Sequence, residues 1–307
     1  MQKMYMKILP TLVMFIFVVT VAAQDSSSYT TSEIIYGRKD GMALTFIKLT
    51  PKKNGKGKAI FSLVSGNWIS NFSMAGRYIL KSIYLVNSGF TVFFIIHSSQ
   101  PRYAINDEVE DIKRAVRFIR YNAKNYGVDA EHIGIAGSSS GGHLALVSAL
   151  SDDKIKVNAI DPIDKNSSRI QAVAVFFPPT DFANWGGSKS NVDVVKLRKM
   201  VAGAFDFKTL SDSTGMYDHI LNDENLKKLT FENSPVNLVS SDDPPVLIFH
   251  GDADPIVPLQ QSQSLIKKLI DAGIKNELII KAGGVHGWKN DEKEEKIIIN
   301  WFDKYLR

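Results

Sequence analysis

The chain has 307 residues, of which 44% are hydrophobic and 22% charged, and it contains no cysteine. This composition is typical of a globular protein of one large domain or two small ones. It excludes a disulfide scaffold, a cysteine-ligated metal site and a cysteine nucleophile. The net charge is +5, and the basic residues are spread along the chain. Nucleic-acid binding would need a clustered basic face, so this class of partner is not expected.

The first 23 residues have the three-part layout of a secretory signal peptide. Two lysines form a basic start, residues 8–21 are an uncharged apolar run, and Ala22 and Ala23 precede polar residues. An uncleaved anchor is the alternative, but a spanning helix needs about 20 apolar residues, and this shorter run contains Pro10. We expect cleavage after Ala23, a secreted or periplasmic protein, and no stable membrane association of the mature domain, residues 24–307.

Short apolar runs along the mature chain predict β-strands that are buried on both faces. They are a weak run at Ile34–Tyr36 and stronger ones at Met42–Lys48, Ala59–Val64, Phe90–Ile96, His132–Ala136, Ile170–Phe177, Pro245–His250 and Glu277–Lys281. The basic run Pro51–Lys58 contains an Asn-Gly pair and predicts a solvated hairpin turn.

Amphipathic patterns between these runs predict helices, the clearest at Asp107–Asn125, Leu259–Ala272 and Asp291–Tyr305. The alternation of strand and helix predicts a mainly parallel sheet with helices on both faces. Residues 181–240 interrupt it, with no convincing strand and two short helical patterns, Val192–Ala204 and Leu221–Lys228. Because insertions usually lie above the carboxyl ends of the strands, this segment is interpreted as a cap over an active site.

The segment Gly137-Ser138-Ser139-Ser140-Gly141 has the G-x-S-x-G pattern of a nucleophile elbow. It follows a predicted strand and precedes an apolar helical pattern, which is the context that such a turn requires. Ser139 is therefore the candidate nucleophile.

A serine nucleophile needs a base and an acid that orients the base. Asp252 and Asp254 follow the predicted strand Pro245–His250, and His286 follows the next strand among glycines. Serine, acid and histidine thus occur in the chain order of α/β-hydrolases, on loops at one edge of the sheet.

These motifs resemble those of the α/β-hydrolase superfamily, in the esterase/lipase branch that includes feruloyl- and acetyl-esterase-like enzymes and borders the prolyl oligopeptidase family. Gly137–Ala145 is similar to the family's GxSxGGHLA elbow, and His250–Pro258 to its HGxxDxxVP loop. The resemblance extends from about Tyr36 to Leu306. It implies an α/β-hydrolase fold with a mostly parallel eight-stranded sheet and a small inserted cap, and it favours Asp254 over Asp252 as the acid. Asp181 is the fallback acid, because some hydrolases carry theirs after the Ile170–Phe177 strand.

The oxyanion loop departs from the family's HGGG-type run, since the corresponding stretch here is Val64-Ser65-Gly66-Asn67-Trp68. Alignment on the tryptophan puts Gly66 and Asn67 at the positions of the backbone donors. The resemblance implies that the N–H of Ser140, next to the nucleophile, is the further donor.

The remaining histidines and aromatic residues give weaker indications. His143 and His250 are interpreted as structural, and His97 lies near the carboxyl edge, where it could contact the pocket. No histidine pair has metal-ligand spacing and no nucleotide-binding motif occurs, so neither a metal nor a cofactor is expected. The aromatic candidates for an apolar pocket are Phe177, Phe182, Trp185 and Tyr217.

We therefore predict a serine carboxylic-ester hydrolase that acts on short-chain or aromatic acyl esters, with acyl groups on carbohydrate among the options. Its partner would be a small-molecule or carbohydrate ester, and its oligomeric state stays open. The alternatives are a serine peptidase of prolyl oligopeptidase type and a catalytically silent binding protein on the same fold.

Overall fold

The structure of the protein is a computed structural model, and part of the chain lies outside what it describes. The described residues are 28–153, 155, 157–186, 203–205, 208–211, 213–219 and 223–307. The predicted leader, residues 1–23, and most of the predicted helical piece Val192–Ala204 fall outside these ranges. No helix within the described ranges combines the length and the apolar character that crossing a membrane requires.

Eight strands form one sheet in the order β1-β2-β4-β3-β5-β6-β9-β10. Their bounds are β1 Tyr29–Lys39, β2 Met42–Pro51, β3 Ala59–Leu63, β4 Thr91–Ile96, β5 Ile133–Ser138, β6 Ala172–Phe176, β9 Val246–Gly251 and β10 Asn276–Lys281. Strand β2 runs antiparallel to β1 and β4, and every other pair is parallel. The predicted mostly parallel eight-stranded sheet is confirmed.

The connection between β2 and β3 corrects one prediction. The run Pro51–Lys58 is not a hairpin turn, because β4 lies between β2 and β3 in the sheet. Thr45 of β2 and Leu63 of β3 both pair with residues of β4, namely Ile96 and Ile95. The Asn-Gly pair correctly indicates a change of direction, but it does not determine which strands become neighbours.

Helices cover both faces of the sheet. Their bounds are α1 Ala75–Asn87, α2 Ile105–Tyr121, α3 Ala123–Tyr126, α4 Ser140–Leu150, α5 Asp223–Glu232, α6 Gln260–Asp271 and α7 Glu292–Tyr305. Buried residues of α2, α4 and α6 form one hydrophobic cluster with the sheet. Those of α1 and α7 form a second cluster on the opposite face. The predicted helices at 107–125, 259–272 and 291–305 are confirmed within a few residues, whereas α1 was not predicted.

The described part of the predicted cap contains a small hairpin. Strand β7, Lys208–Leu210, pairs antiparallel with β8, Tyr217–His219. The expectation that residues 181–240 hold no strand is therefore wrong, and these strands of three residues are too short to produce a recognisable alternation. The pattern predicted as a helix at Leu221–Lys228 corresponds to α5, which ends four residues later.

Strand β5 lies directly against helix α7 at Gly134. An ideal Cβ built on Gly134 would lie 2.7 and 2.8 Å from two ring carbons of Phe302, and 3.0 Å from a methyl carbon of Ile60. Both neighbours are fully buried, so neither can move aside without disturbing other core residues.

We expect Gly134→Ala to lower the free energy of unfolding by about 1–3 kcal/mol, the usual cost of overpacking a core. Urea denaturation followed by circular dichroism measures the change. Gly76→Ala in helix α1 is the matched control, because nothing lies within 4 Å of its Cβ position, and it should leave stability unchanged or raised. Equal stability of Gly134→Ala and the wild type would contradict the steric argument.

Candidate active site

The turn from β5 into α4 presents Ser139 at the carboxyl edge of the sheet. Ser139 has φ 54° and ψ −123°, outside the regions that ordinary residues favour. An ideal Cβ on Gly137 would lie 2.3 Å from the carbonyl oxygen of Gly141. Glycine is therefore required at 137 for strand and helix to approach this closely. The Ser139 N–H donates to the Phe176 carbonyl at 2.9 Å, which fixes the turn against β6.

Three loops bring Ser139, His286 and Asp254 together in one hydrogen-bonded chain. The Oγ of Ser139 lies 2.9 Å from Nε2 of His286, and Nδ1 of His286 lies 2.7 Å from Oδ2 of Asp254. A carboxylate can only accept a hydrogen bond, so Nδ1 carries the proton and Nε2 is the acceptor that faces the serine hydroxyl. The arrangement matches the geometry of a nucleophile, a base and an orienting acid.

The backbone of its own loop holds the Asp254 carboxylate, which is fully buried. Its Oδ1 accepts hydrogen bonds from the N–H groups of Ile256 at 2.9 Å and Val257 at 3.0 Å, which leaves Oδ2 for His286. His250 braces the same loop, because its Nε2 donates to the Val257 carbonyl at 2.8 Å while its Nδ1 accepts from Ser262 at 2.6 Å. Burial lowers the pKa of His250, which keeps this histidine neutral and structural.

The other candidate acids make different contacts. Oδ1 of Asp181 accepts from the N–H groups of Ala183 and Asn184 at 3.2 and 3.1 Å. Oδ1 of Asp252 accepts from the N–H of Gly283 at 2.7 Å. Neither carboxylate bonds to His286 within the described chain, and of the three acids the structure brings only Asp254 to the imidazole.

The oxyanion loop is a tight two-residue hairpin. Gly66 and Ile69 exchange both backbone hydrogen bonds at 3.0 Å, and Asn67 and Trp68 between them have φ of 51° and 55°. Two successive positive φ angles are those of a type I′ turn. The N–H of Gly66, expected as an oxyanion donor, is therefore already bonded to the Ile69 carbonyl. No acceptor within the described residues bonds to the N–H of Asn67 or Ser140.

Buried hydrogen bonds through Trp68 and His143 connect the turn at Asn67 to helix α4. Nε1 of Trp68 donates to Nδ1 of His143 at 3.1 Å, and Nε2 of His143 donates to the Asn233 carbonyl at 2.7 Å. Burial lowers the pKa of His143 to about 4, so the ring is neutral and can both accept and donate. His143 is thus structural, as predicted from the sequence, but its link to the oxyanion turn was not.

The aromatic residues proposed for an apolar pocket do not all lie near Ser139. Phe182 is buried and packs against His143 and Trp185, so it belongs to the core. Phe177 lies against His286, with the ring centroids 4.5 Å apart. The side chain of Tyr217 is outside the described part of the structure.

His97 does not open onto the pocket, because it is buried at the end of β4 beside Glu108. Its Nδ1 lies 2.5 Å from the Ser98 carbonyl oxygen and 3.9 Å from Oε2 of Glu108. Within the described chain, no partner with full hydrogen-bond geometry reaches His97 Nε2 or either Glu108 oxygen, although the nearby Gln100 backbone favours the charged form of Glu108. Burial raises the pKa of Glu108 well above its usual value and lowers that of His97 to about 4. Burial therefore favours the uncharged form of each group.

The described residues contain no group of three or more histidine, aspartate or glutamate side chains that could hold a metal ion. The hydrogen-bonded chain of Ser139, His286 and Asp254 has the residue types of a nucleophile, a base and an orienting acid.

The curated sequences that are similar to this chain include esterases. The profile of the BD-FAE family matches residues 47–269. Esterase LipQ of Mycobacterium tuberculosis is 28% identical over 246 residues, which cover 79% of this chain and 53% of that protein. The probable carboxylic ester hydrolase LipM of the same organism is 25% identical over 215 residues, covering 70% of this chain and 45% of that protein. The chain spans about half the length of these curated relatives.

Solved structures share the architecture. A truncated carbohydrate esterase from gut microbiota has a TM-score of 0.72 and 26% identity, covering 91% of this chain and 97% of that one. An acetyl ester-xyloside bifunctional hydrolase from Caldicellulosiruptor lactoaceticus has a TM-score of 0.69 and 22% identity, covering 89% and 96%. The fold is that of the α/β-hydrolases.

The raised pKa of the buried Glu108 predicts a pH-dependent stability difference. Because burial raises its folded-state pKa, the folded protein binds this proton more tightly than the unfolded chain. The stabilisation from this proton is fully present below the unfolded-state pKa and is lost as pH rises through the folded-state pKa. We expect Glu108→Gln to gain stability over the wild type as pH rises above the usual pKa of a glutamate carboxyl, as measured by urea denaturation.

Glu110→Gln, on the exposed side of the same helix, is measured alongside as the control for replacing a glutamate by glutamine in α2. A pH-independent difference between Glu108→Gln and the wild type would contradict the raised pKa of Glu108.

Proposed function

This chain belongs to the BD-FAE family of α/β-hydrolase esterases, and we propose that it hydrolyses carboxylic esters through an acyl-enzyme on Ser139. The observation that carries the proposal is the hydrogen-bonded chain from Ser139 through His286 to Asp254, with distances of 2.9 and 2.7 Å. The first distance lets His286 act as the base that takes the serine proton, and the second lets Asp254 orient the imidazole by a hydrogen bond.

In the first half of the reaction, the Oγ of Ser139 attacks the ester carbonyl while its proton moves to Nε2 of His286. Asp254 holds the Nδ1–H tautomer and stabilises the imidazolium that forms. The tetrahedral intermediate then collapses, the bond to the alcohol oxygen breaks, and Nε2 returns the proton to the leaving alcohol.

In the second half, water replaces the alcohol. His286 takes a proton from the water as its oxygen attacks the acyl carbon, and the bond to Ser139 breaks as Oγ recovers its proton. The carboxylic acid leaves and the starting hydrogen bonds are restored.

We propose the N–H groups of Asn67 and Ser140 as the oxyanion donors. Ser140 is the first residue of α4, so its N–H belongs to the unpaired amides at the positive end of the helix dipole. Gly66, expected as a donor from the family alignment, would instead close the turn that presents Asn67, because its N–H is bonded to Ile69.

The substrate class is part of the proposal: short-chain or aromatic acyl esters, including acyl groups on carbohydrate. Ile256 and Val285, on the loops that carry Asp254 and His286, are 54% and 53% exposed. Their apolar surface near the catalytic loops supports an apolar acyl group. The 26% identical carbohydrate esterase supports a carbohydrate alcohol.

We further propose that residues 1–23 are a signal peptide removed after Ala23, which would make the protein secreted or periplasmic. Residues 24–307 would then form one hydrolase domain, in which 181–240 is a cap insertion. The basic and apolar layout of the leader supports the first proposal, and the position of the insert after β6 supports the second.

Ser139→Ala tests the nucleophile. The variant should lose at least about 10⁴-fold in kcat on p-nitrophenyl acetate, because no other group can form the acyl-enzyme, and it should no longer react with a fluorophosphonate probe. Ser148→Ala is the matched control, since this buried serine on α4 has no hydrogen-bond partner among the described residues. Turnover by a folded Ser139→Ala variant at the wild-type rate would overturn the proposal.

Asp254→Asn tests the acid. An amide would favour the wrong imidazole tautomer, so kcat should fall by about 10³- to 10⁴-fold while KM changes little. Asp181→Asn, the fallback position, should retain wild-type kcat. The reverse result, with activity lost only in Asp181→Asn, would move the acid to the loop after β6.

A further inference from the structure

One strained residue beside the catalytic histidine has no part in the reaction described above. Phe177 follows the last residue of β6 and has φ 37°, a conformation that is unfavourable for a bulky side chain. Such strain costs of the order of 1–3 kcal/mol and persists only where surrounding structure enforces it.

Contacts on both sides of Phe177 enforce the strain. Its N–H donates to the Phe249 carbonyl at 2.7 Å, which continues the β6–β9 pairing by one residue. Pro178 then packs closely on the start of α4, since an ideal Cβ on Gly142 would lie 3.2 Å from the proline Cβ. The backbone at Phe177 is therefore held between β9 and helix α4, which directly follows Ser139.

The strained backbone directs the Phe177 ring onto the imidazole of His286. The ring centroids are 4.5 Å apart and the planes are inclined at 56°. Trp288 supports Phe177 from another side, at 5.2 Å between centroids. The indole Nε1 in turn donates to Glu294 at 3.1 Å, so the aromatic pair is anchored to the first turn of α7.

The imidazole needs such a contact. The imidazole is attached through Cγ to Cβ, and hydrogen bonds at Nδ1 and Nε2 hold two further ring atoms. Hydrogen bonds nevertheless tolerate some change of angle, so small rotations about Cα–Cβ and Cβ–Cγ can still tilt the ring. A rigid ring packed against the imidazole opposes that tilt. Phe177 is only 6% exposed, so it offers a substrate very little surface and any effect on catalysis would act through His286.

We infer that Phe177 is a positioning residue that keeps the His286 imidazole in line with Ser139 and Asp254. The inference rests on the proposed function. A small misplacement of a catalytic group costs up to about a hundredfold in rate. Removing the ring should therefore lower kcat and leave KM unchanged, because binding of the ester does not depend on the tilt of the imidazole.

The test compares Phe177→Leu, Phe177→Tyr and Phe90→Leu by steady-state kinetics on p-nitrophenyl acetate and by the rate of fluorophosphonate labelling. Phe90→Leu removes a fully buried phenylalanine that directly precedes β4, at the end of the strands opposite to the carboxyl edge. We expect Phe177→Leu to lose about 10- to 100-fold in kcat and in labelling rate, with KM within a factor of about two. Phe177→Tyr, which keeps the ring, should recover most of the rate, and Phe90→Leu should match the wild type.

Thermal unfolding is recorded for every variant. If Phe177→Leu unfolds below the assay temperature, Phe177→Met replaces it, because methionine fills a similar volume without a flat ring. The proton of the His286 Nδ1–H bond to Asp254 should give a downfield NMR resonance in the wild type that broadens in the variant without the ring.

Several outcomes would overturn the inference alone: unchanged kcat in Phe177→Leu, a loss confined to KM, an equal loss in Phe90→Leu, or no recovery in Phe177→Tyr. Absence of Ser139-dependent turnover in the wild type would instead overturn the proposed function, and this inference with it.

Discussion

The contact between residues 137 and 141 is the constraint on which the site depends. At Gly137, the 2.3 Å that would separate a Cβ from the Gly141 carbonyl leaves no room for any side chain. This approach turns the chain from β5 into α4 within a few residues and forces Ser139 to φ 54°. The serine therefore projects from the sheet edge while the amides at the start of α4 lie beside it. Because β5 has β3 on one side and β6 on the other, the loops after those strands approach the same serine.

Buried hydrogen bonds, many of them to the backbone, fix the polar groups around the site. Two loop amides hold one oxygen of Asp254, and the second oxygen bonds to His286 at 2.7 Å, with Nε2 of His250 further away at 3.7 Å. A reciprocal pair of backbone bonds closes the turn at Asn67, and the neutral His143 ties that turn to α4 through Trp68. Backbone donors in a buried site need no reorganisation when charge develops, which is why preorganised amides are effective partners for an oxyanion.

The sequence allowed the central strands to be predicted, and it indicated the serine, aspartate and histidine that the structure brings together, because both depend on local patterns. Strands buried on both faces are continuous apolar runs, and β3 and β9 were located within one residue of their observed bounds. Helix α1 was missed because its first turn has no acidic residue and its N-cap, Met74, makes no side-chain hydrogen bond. The pairing of β2 with β4, the bond that occupies the Gly66 N–H and the strain at Phe177 are contacts between distant segments, and no local pattern encodes them.

Strain in this molecule is concentrated where the chemistry would occur. Among the described residues, six other than glycine have positive φ, and four of them, Asn67, Trp68, Ser139 and Phe177, belong to loops around the candidate nucleophile. Asp40 and Asn54 lie in ordinary turns, for which their short polar side chains are suited. Tryptophan and phenylalanine have no such preference, so the fold maintains Trp68 and Phe177 against their intrinsic conformational tendency. The two buried clusters on either side of the sheet supply the rigidity that makes this possible. A substitution that relaxes the backbone at one of these positions should raise the free energy of unfolding. The same substitution removes the side chain that the strained backbone directs toward the site, so a gain in stability there is expected to cost activity.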